Sequence, residues 1–250
     1  MIEVHNLTYR IADAPILTDI SLRVPLGGIV ALIGPNGAGK STLLSLMARL
    51  LPLQQGRITV DELTVGQSDD RELARRLAIL PQTMHATSRL TVRDLVSFGR
   101  YPYHRGRPTK EDRSLVEEGL GLFELSAMAD RSLDTLSGGQ RQRAFVAMTY
   151  VQDTNYVLLD EPLNNLDLAA SRSLMVRLRE LADAKGRTII IVLHDINVAT
   201  AYADRVLVMK DGRLCGDGAP RDVVTPELIK DVFETDATLR VVDGRPVVLA

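Results

Sequence analysis

Cysteine occurs once in the 250 residues, at Cys215, so no internal disulfide can form and the chain reads as one kept in a reducing compartment. Long apolar runs are missing too. A membrane-spanning helix needs about 20 consecutive apolar residues. The strand-like runs here, Ile29–Ile33, Tyr156–Leu159 and Ile189–Leu193, are far shorter. Neither sign of charge is in excess: 30 Lys and Arg meet 32 Asp and Glu, a net charge of −2. That balance excludes the broad basic face expected of a nonspecific nucleic-acid or anionic-membrane binder. Low-complexity stretches, long charge runs and internal repeats are also missing. The opening Met1-Ile2-Glu3-Val4-His5-Asn6 carries an acid and has neither the basic nor the apolar region of a signal peptide. The chain is therefore expected to be soluble unless a partner holds it at a membrane.

What is present is ordinary globular material, 45% apolar and 25% charged. The length suits one large α/β unit with a grafted subdomain. Each short apolar run is followed by a polar or glycine-rich segment and then a helical pattern. Continuous apolar runs of this kind read as parallel strands buried on both faces. Helical patterns are predicted over 40–51, 140–153, 168–185 and 195–203, and this alternation implies helices covering a mostly parallel sheet. Ile2, Val4, Leu7 and Tyr9, then Leu17 to Val24, read as antiparallel edge strands. Asp211-Gly212 and Asp243-Gly244 are hairpin signals. Between Pro81 and Asn155 the strand pattern stops, and helical segments over 91–98, 110–123 and 140–153 predict a helical insertion.

Gly34-Pro35-Asn36-Gly37-Ala38-Gly39-Lys40-Ser41-Thr42 fits the phosphate-loop pattern, between a predicted strand and a predicted helix. Its glycines let backbone amides curl around phosphate oxygens, and the helix N-terminus adds positive potential. Lys40 would pair with the β- and γ-phosphates of ATP, and Ser41 would ligate Mg²⁺. Asp160 and Glu161 follow the apolar strand 156–159, at the strand end where α/β folds bind ligands. Asp160 is suited to hold Mg²⁺, and Glu161 to polarise an attacking water. A simple glycine-rich connector, and two acids capping a strand in solvent, are the competing readings.

Leu136-Ser137-Gly138-Gly139-Gln140, just before the acid-pair strand, decides the family. With the other two motifs it resembles the nucleotide-binding subunit of ABC transporters, from Tyr9 to at least His194. The resemblance implies a P-loop α/β fold of the ABC type, with a mostly parallel sheet core, an antiparallel β edge and an inserted helical subdomain. The lobes would divide as 1–82 and 156–250 for nucleotide binding and 83–155 for the insertion. It implies that Ser137, Gly138, Gly139 and Gln140 contact the γ-phosphate on another copy, so two chains sandwich two ATP molecules. A single signature excludes tandem-fused cassettes.

By the same resemblance Gln82 is a ligand for Mg²⁺ and water, His194 contacts the γ-phosphate, and Tyr9 stacks on adenine. Asn165-Leu166-Asp167 resembles the loop that touches the partner subunit, although Asn165 stands where relatives carry Ala and Leu163 where many carry Thr. Asp167 could equally be a helix cap. The segment 83–107 should meet a polytopic permease. Phe98-Gly99-Arg100-Tyr101-Pro102-Tyr103-His104-Arg105-Gly106 is similar to importers of ferric siderophores, haem and cobalamin, which implies a peripheral protein on the cytoplasmic face that a substrate-binding protein serves indirectly. Base stacking by these aromatics and arginines is the weaker alternative, and nucleic acid is not an expected partner. A soluble ATPase driving iron–sulfur assembly is the competing class. His5, His85, His104, Cys215 and the methionines form no ligand pattern.

Overall fold

A computed structural model describes residues 1–82, 90–104 and 106–249. The chain begins with β1 (Ile2–Ile11), β2 (Ala14–Val24) and β3 (Gly28–Ile33), then α1 (Lys40–Met47), β4 (Gln55–Val60), β5 (Leu63–Thr64), α2 (Asp70–Ala74) and β6 (Leu77–Leu80). The insertion contributes α3 (Val92–Phe98), α4 (Tyr101–His104), α5 (Lys110–Leu122) and α6 (Gly138–Val151). The chain then returns through β7 (Tyr156–Asp160), α7 (Leu168–Lys185), β8 (Thr188–Val192), α8 (Ile196–Tyr202), β9 (Arg205–Lys210) and β10 (Arg213–Gly218). It ends with α9 (Pro220–Val223), α10 (Pro226–Phe233), β11 (Thr238–Val242) and β12 (Arg245–Leu249).

Among the described residues the main sheet runs β10-β9-β3-β8-β7-β6, parallel except for β10. Its strands alternate between two apolar environments. Ile29, Ala31, Ile33, Val157, Leu159, Ile189 and Ile191 face the cluster that holds α7, α8 and the insertion. Val30, Leu32, Tyr156, Leu158, Ile190 and Val192 face the cluster that holds α1 and the N-terminal strands. Burial on both faces is why these strands read as unbroken apolar runs. Their carboxyl ends, Ile33, Asp160 and Val192, lie side by side in parallel register, which sets the stage for a ligand site.

The N-terminal strands are not an edge of that sheet. They form a second, antiparallel sheet in the order β2-β1-β4-β5. Asn6 and Asp19 both have positive φ, +46° and +52°, and the Asn6 side-chain amide donates to Asp19 Oδ1 at 2.9 Å. These paired bulges invert the inside–outside alternation of both strands. In β1 the buried set passes from Ile2 and Val4 to Leu7 and Tyr9. The C-terminal hairpins form at Asp211-Gly212 and Asp243-Gly244, as their sequences predict.

Between β6 and β7 the elements among the described residues are helices, apart from one bridge, Thr91 to Ser132. Residues 83–89 and 105, including His85 and part of the 83–107 segment, lie outside the described residues. Arg100 was expected on a docking surface, but the structure buries it. Its guanidinium Nε donates to Asp112 Oδ1 of α5 at 2.9 Å, and Nη1 to the Val151 carbonyl at 3.0 Å. The same group lies 3.9 Å from the Tyr103 ring centroid. Arg100 and Tyr103 thus satisfy each other inside the insertion, which removes them from any base-stacking surface.

Removing one partner of such a pair leaves the other charge buried and unpaired. Asp112→Ala is expected to cost about 3–5 kcal/mol in urea unfolding. Burial raises the Asp112 carboxyl, but the Thr109 donors and Arg100 outweigh it and hold it below the usual carboxylate range. A depressed folded-state value stabilises above the unfolded one, near pH 4, and that contribution fades as pH falls. The stability gap between the wild type and Asp112→Asn should therefore narrow in acid; a gap that is constant from pH 7 downward would contradict the pairing.

Candidate functional site

β3 delivers the glycine-rich loop to the centre of the sheet. Gly34 has φ +146°, and a Cβ there would sit 2.0 Å from the Met209 carbonyl oxygen, so only glycine fits between loop and β9. Gly39, at φ +95°, starts α1 with no side-chain oxygen capping the first-turn amides and no acid in that turn. Those donors remain for an anion, which a helix N-terminus favours by about 0.3–1 kcal/mol from the dipole alone. Lys40 is buried, its Nζ donating to the carbonyls of Gly34 at 2.8 Å and Pro35 at 2.9 Å. Desolvation pulls its ammonium below the ordinary lysine value, partly opposed by Glu161 and Asp160.

Asp160 ends β7 and is buried. It accepts from the Ser41 hydroxyl at 3.0 Å. Burial pushes its carboxyl up, and the neighbouring Glu161 adds to that shift. Glu161 turns out of the strand at φ +52°, a conformation that costs a non-glycine residue about 1–2 kcal/mol. Its carboxylate accepts from His194 Nε2 at 2.8 Å, Gln82 Nε2 at 2.9 Å and Asn164 Nδ2 at 2.6 Å. Burial alone would raise this carboxyl, but the three donors outweigh it and hold it below the usual glutamate value. Gln82 follows β6, and His194 follows β8 just ahead of Asp195, the N-cap of α8.

The structure thus brings Asn36 to Thr42, Gln82, Glu161 and His194 onto one cleft of about 450 Å³, with Asp160 behind Ser41. Tyr9 is not on that wall. The bulge at Asn6 turns it inward, 8% exposed, among the residues of the antiparallel sheet. Ile11 and Ile16 line the cleft instead. They went unread because they sit at strand ends with no motif around them. Asn164 was also missed; the only signal was an amide three residues after Glu161, where its N–H closes a turn onto the Glu161 carbonyl at 3.2 Å.

Ser137, Gly138, Gly139 and Gln140 lie elsewhere. Ser137 and Gln140 form a reciprocal capping box at the start of α6, at 3.3 and 3.0 Å. The four residues line a second cavity of about 630 Å³ with Asn165, Leu166 and Asp167, and it shares no lining residue with the phosphate-loop cleft. Asp167 caps α7, accepting from Ala170 N–H at 2.7 Å.

The model of the ABC transporter family matches residues 17–164. The chain is an ABC transporter ATPase. It is similar over 98% of its length to the petrobactin import ATP-binding protein YclP of Bacillus subtilis, at 42% identity and 97% coverage of that protein. It is 47% identical to the petrobactin import ATP-binding protein FatE of Bacillus anthracis, covering 94% of each chain. Among solved structures, a dimeric ATP-binding cassette, MJ0796, bound to ADP and phosphate after hydrolysis, superposes with TM-score 0.79 at 28% identity. That match covers 88% of this ABC ATPase and 98% of the cassette.

Proposed function

We propose that the chain hydrolyses ATP to drive an importer of ferric siderophores or related iron chelates, held at the cytoplasmic face of the membrane by a polytopic permease. The observation that carries the reading is the meeting of the phosphate loop, Gln82, Glu161 and His194 on one cleft while the Ser137-Gly138-Gly139 surface stands apart. Both relatives named above are import ATP-binding proteins for one siderophore, which supports the cargo class over the assembly role. No helix among the described residues is long and apolar enough to cross a membrane; in this reading a permease supplies the pathway.

In this reading the loop amides from Gly34 to Thr42 cradle the ATP phosphates, and Lys40 pairs with the β- and γ-phosphates. Ile11 and Ile16 give adenine the apolar wall assigned by resemblance to Tyr9. Ser41 and Asp160 would hold Mg²⁺, with Gln82 as a further ligand. Their oxygens are the donor type that a hard cation takes, and the ion would offset charge on the phosphates. Glu161 accepts the proton of the attacking water, and His194 orients that carboxylate beside the γ-phosphate. The signature residues of a second copy complete the charge-stabilising set.

The 83–155 insertion carries closure to the permease, and a substrate-binding protein acts only through that permease. Phe98, Tyr101 and Leu50 are each about half exposed and line a groove of about 340 Å³ where insertion and core lobe meet; it offers the docking surface. Cells carrying Lys40→Ala, with the protein at its normal level, should neither grow on a ferric siderophore as sole iron source nor take up radioactive iron from it. Undiminished uptake would sink the importer reading.

A further inference from the structure

The C-terminal hairpin of β11 and β12 contributes nothing to the phosphate-binding cleft, yet it grips the helix that follows His194. Asn197, in the first turn of α8, donates Nδ2 to the Val248 carbonyl at 3.0 Å and accepts at Oδ1 from the Val248 N–H at 2.8 Å. One side-chain amide thus pairs with β12 as a neighbouring strand would. At the far end of α8, Arg245 donates to the Ala201 carbonyl. Ile196 packs both against the main core and against the small cluster of Val224, Ile229 and Val248.

His194 is positioned between two anchors. On one side Leu193 N–H donates to the Leu32 carbonyl at 3.2 Å, tying it to β3. On the other Asp195 caps α8, accepting from Asn197 N–H at 2.7 Å and Val198 N–H at 3.3 Å. The imidazole itself is 42% exposed and so makes little packing of its own. Its direction toward Glu161 therefore depends on where the first turn of α8 lies. We infer that the hairpin, through Asn197, is a positioning element that sets His194 against Glu161. The inference rests on the assignment of both residues to the ATPase site.

Steady-state ATP hydrolysis by the full chain tests it. Asn197→Ala should lower kcat about 5-fold and leave KM and nucleotide affinity within about 2-fold, because substrate binding is untouched while the base is misdirected. In a His194→Ala background the same substitution should cost nothing further, as no imidazole remains to be misplaced. Arg245→Ala, which loosens the other end of α8, should show the same dependence with a smaller loss. It also decides the matter if Asn197→Ala fails to fold. Equal losses with and without His194 would overturn the inference, as would unchanged kcat in both variants. The underlying assignment fails separately, if the unsubstituted chain does not hydrolyse ATP.

Discussion

Glu161→Gln should bind ATP as well as the unsubstituted chain, hydrolyse it about 10²–10³-fold more slowly, and accumulate as a nucleotide-bound dimer. The carboxylate lines the cleft beside the loop, where it can take a proton from water. It accepts from His194, Gln82 and Asn164. A residue held at φ +52° by three donors is over-determined by its surroundings, the condition under which strain persists at a working site. Glutamine keeps the shape and one accepting oxygen but loses the basic carboxylate, and its NH2 group meets donors where the second oxygen belonged. It also removes a negative charge from beside Asp160, so a triphosphate approaches with less repulsion. Single-turnover phosphate release and size-exclusion chromatography with ATP read both halves of the expectation. Turnover near that of the unsubstituted chain would remove Glu161 from its role.

Local chemistry was legible in the sequence where one segment carries the whole signal. The phosphate loop, the acid pair and the helix over Leu168–Lys185 appear where spacing and apolar runs place them, and Asp167 and Asp195 cap their helices. What was illegible depends on pairing between distant segments. Tyr9 faces the core because Asn6 and Asp19 bulge together, and a period-two pattern in one strand says nothing of a bulge in its partner. Arg100 looked like a surface arginine among aromatics until α5 supplied Asp112. The three donors on Glu161 come from the ends of β6 and β8 and from its own turn, so only the parallel register unites them. The N-terminal strands alternate as any half-buried strand does, which cannot reveal whether they extend the main sheet or build another.

Two inactive variants should restore activity when mixed. Lys40→Ala removes the ammonium that the loop carbonyls hold, so its phosphate loop fails while its signature surface stays intact. Gly138→Asp does the reverse. A Cβ at Gly138 would meet only Asn165 Cβ, at the ordinary distance of 3.6 Å, and the backbone there is not left-handed. The substitution should therefore fold, and its carboxylate should repel a γ-phosphate presented to that surface. If, as proposed, each site takes its phosphate loop from one copy and its signature from the other, each homodimer should have two dead sites; the phosphate-loop cleft and the signature cavity share no residues within one chain. In a mixed dimer, the loop of the Gly138→Asp copy meets the signature of the Lys40→Ala copy, and one composite site is whole. With random pairing and independent sites, an equal mixture should regain about a quarter of the unsubstituted rate. The recovery should vanish on dilution, as the mixed dimers dissociate. Full activity of Gly138→Asp alone, or no recovery in a mixture shown by crosslinking to hold heterodimers, would mean that each copy works by itself.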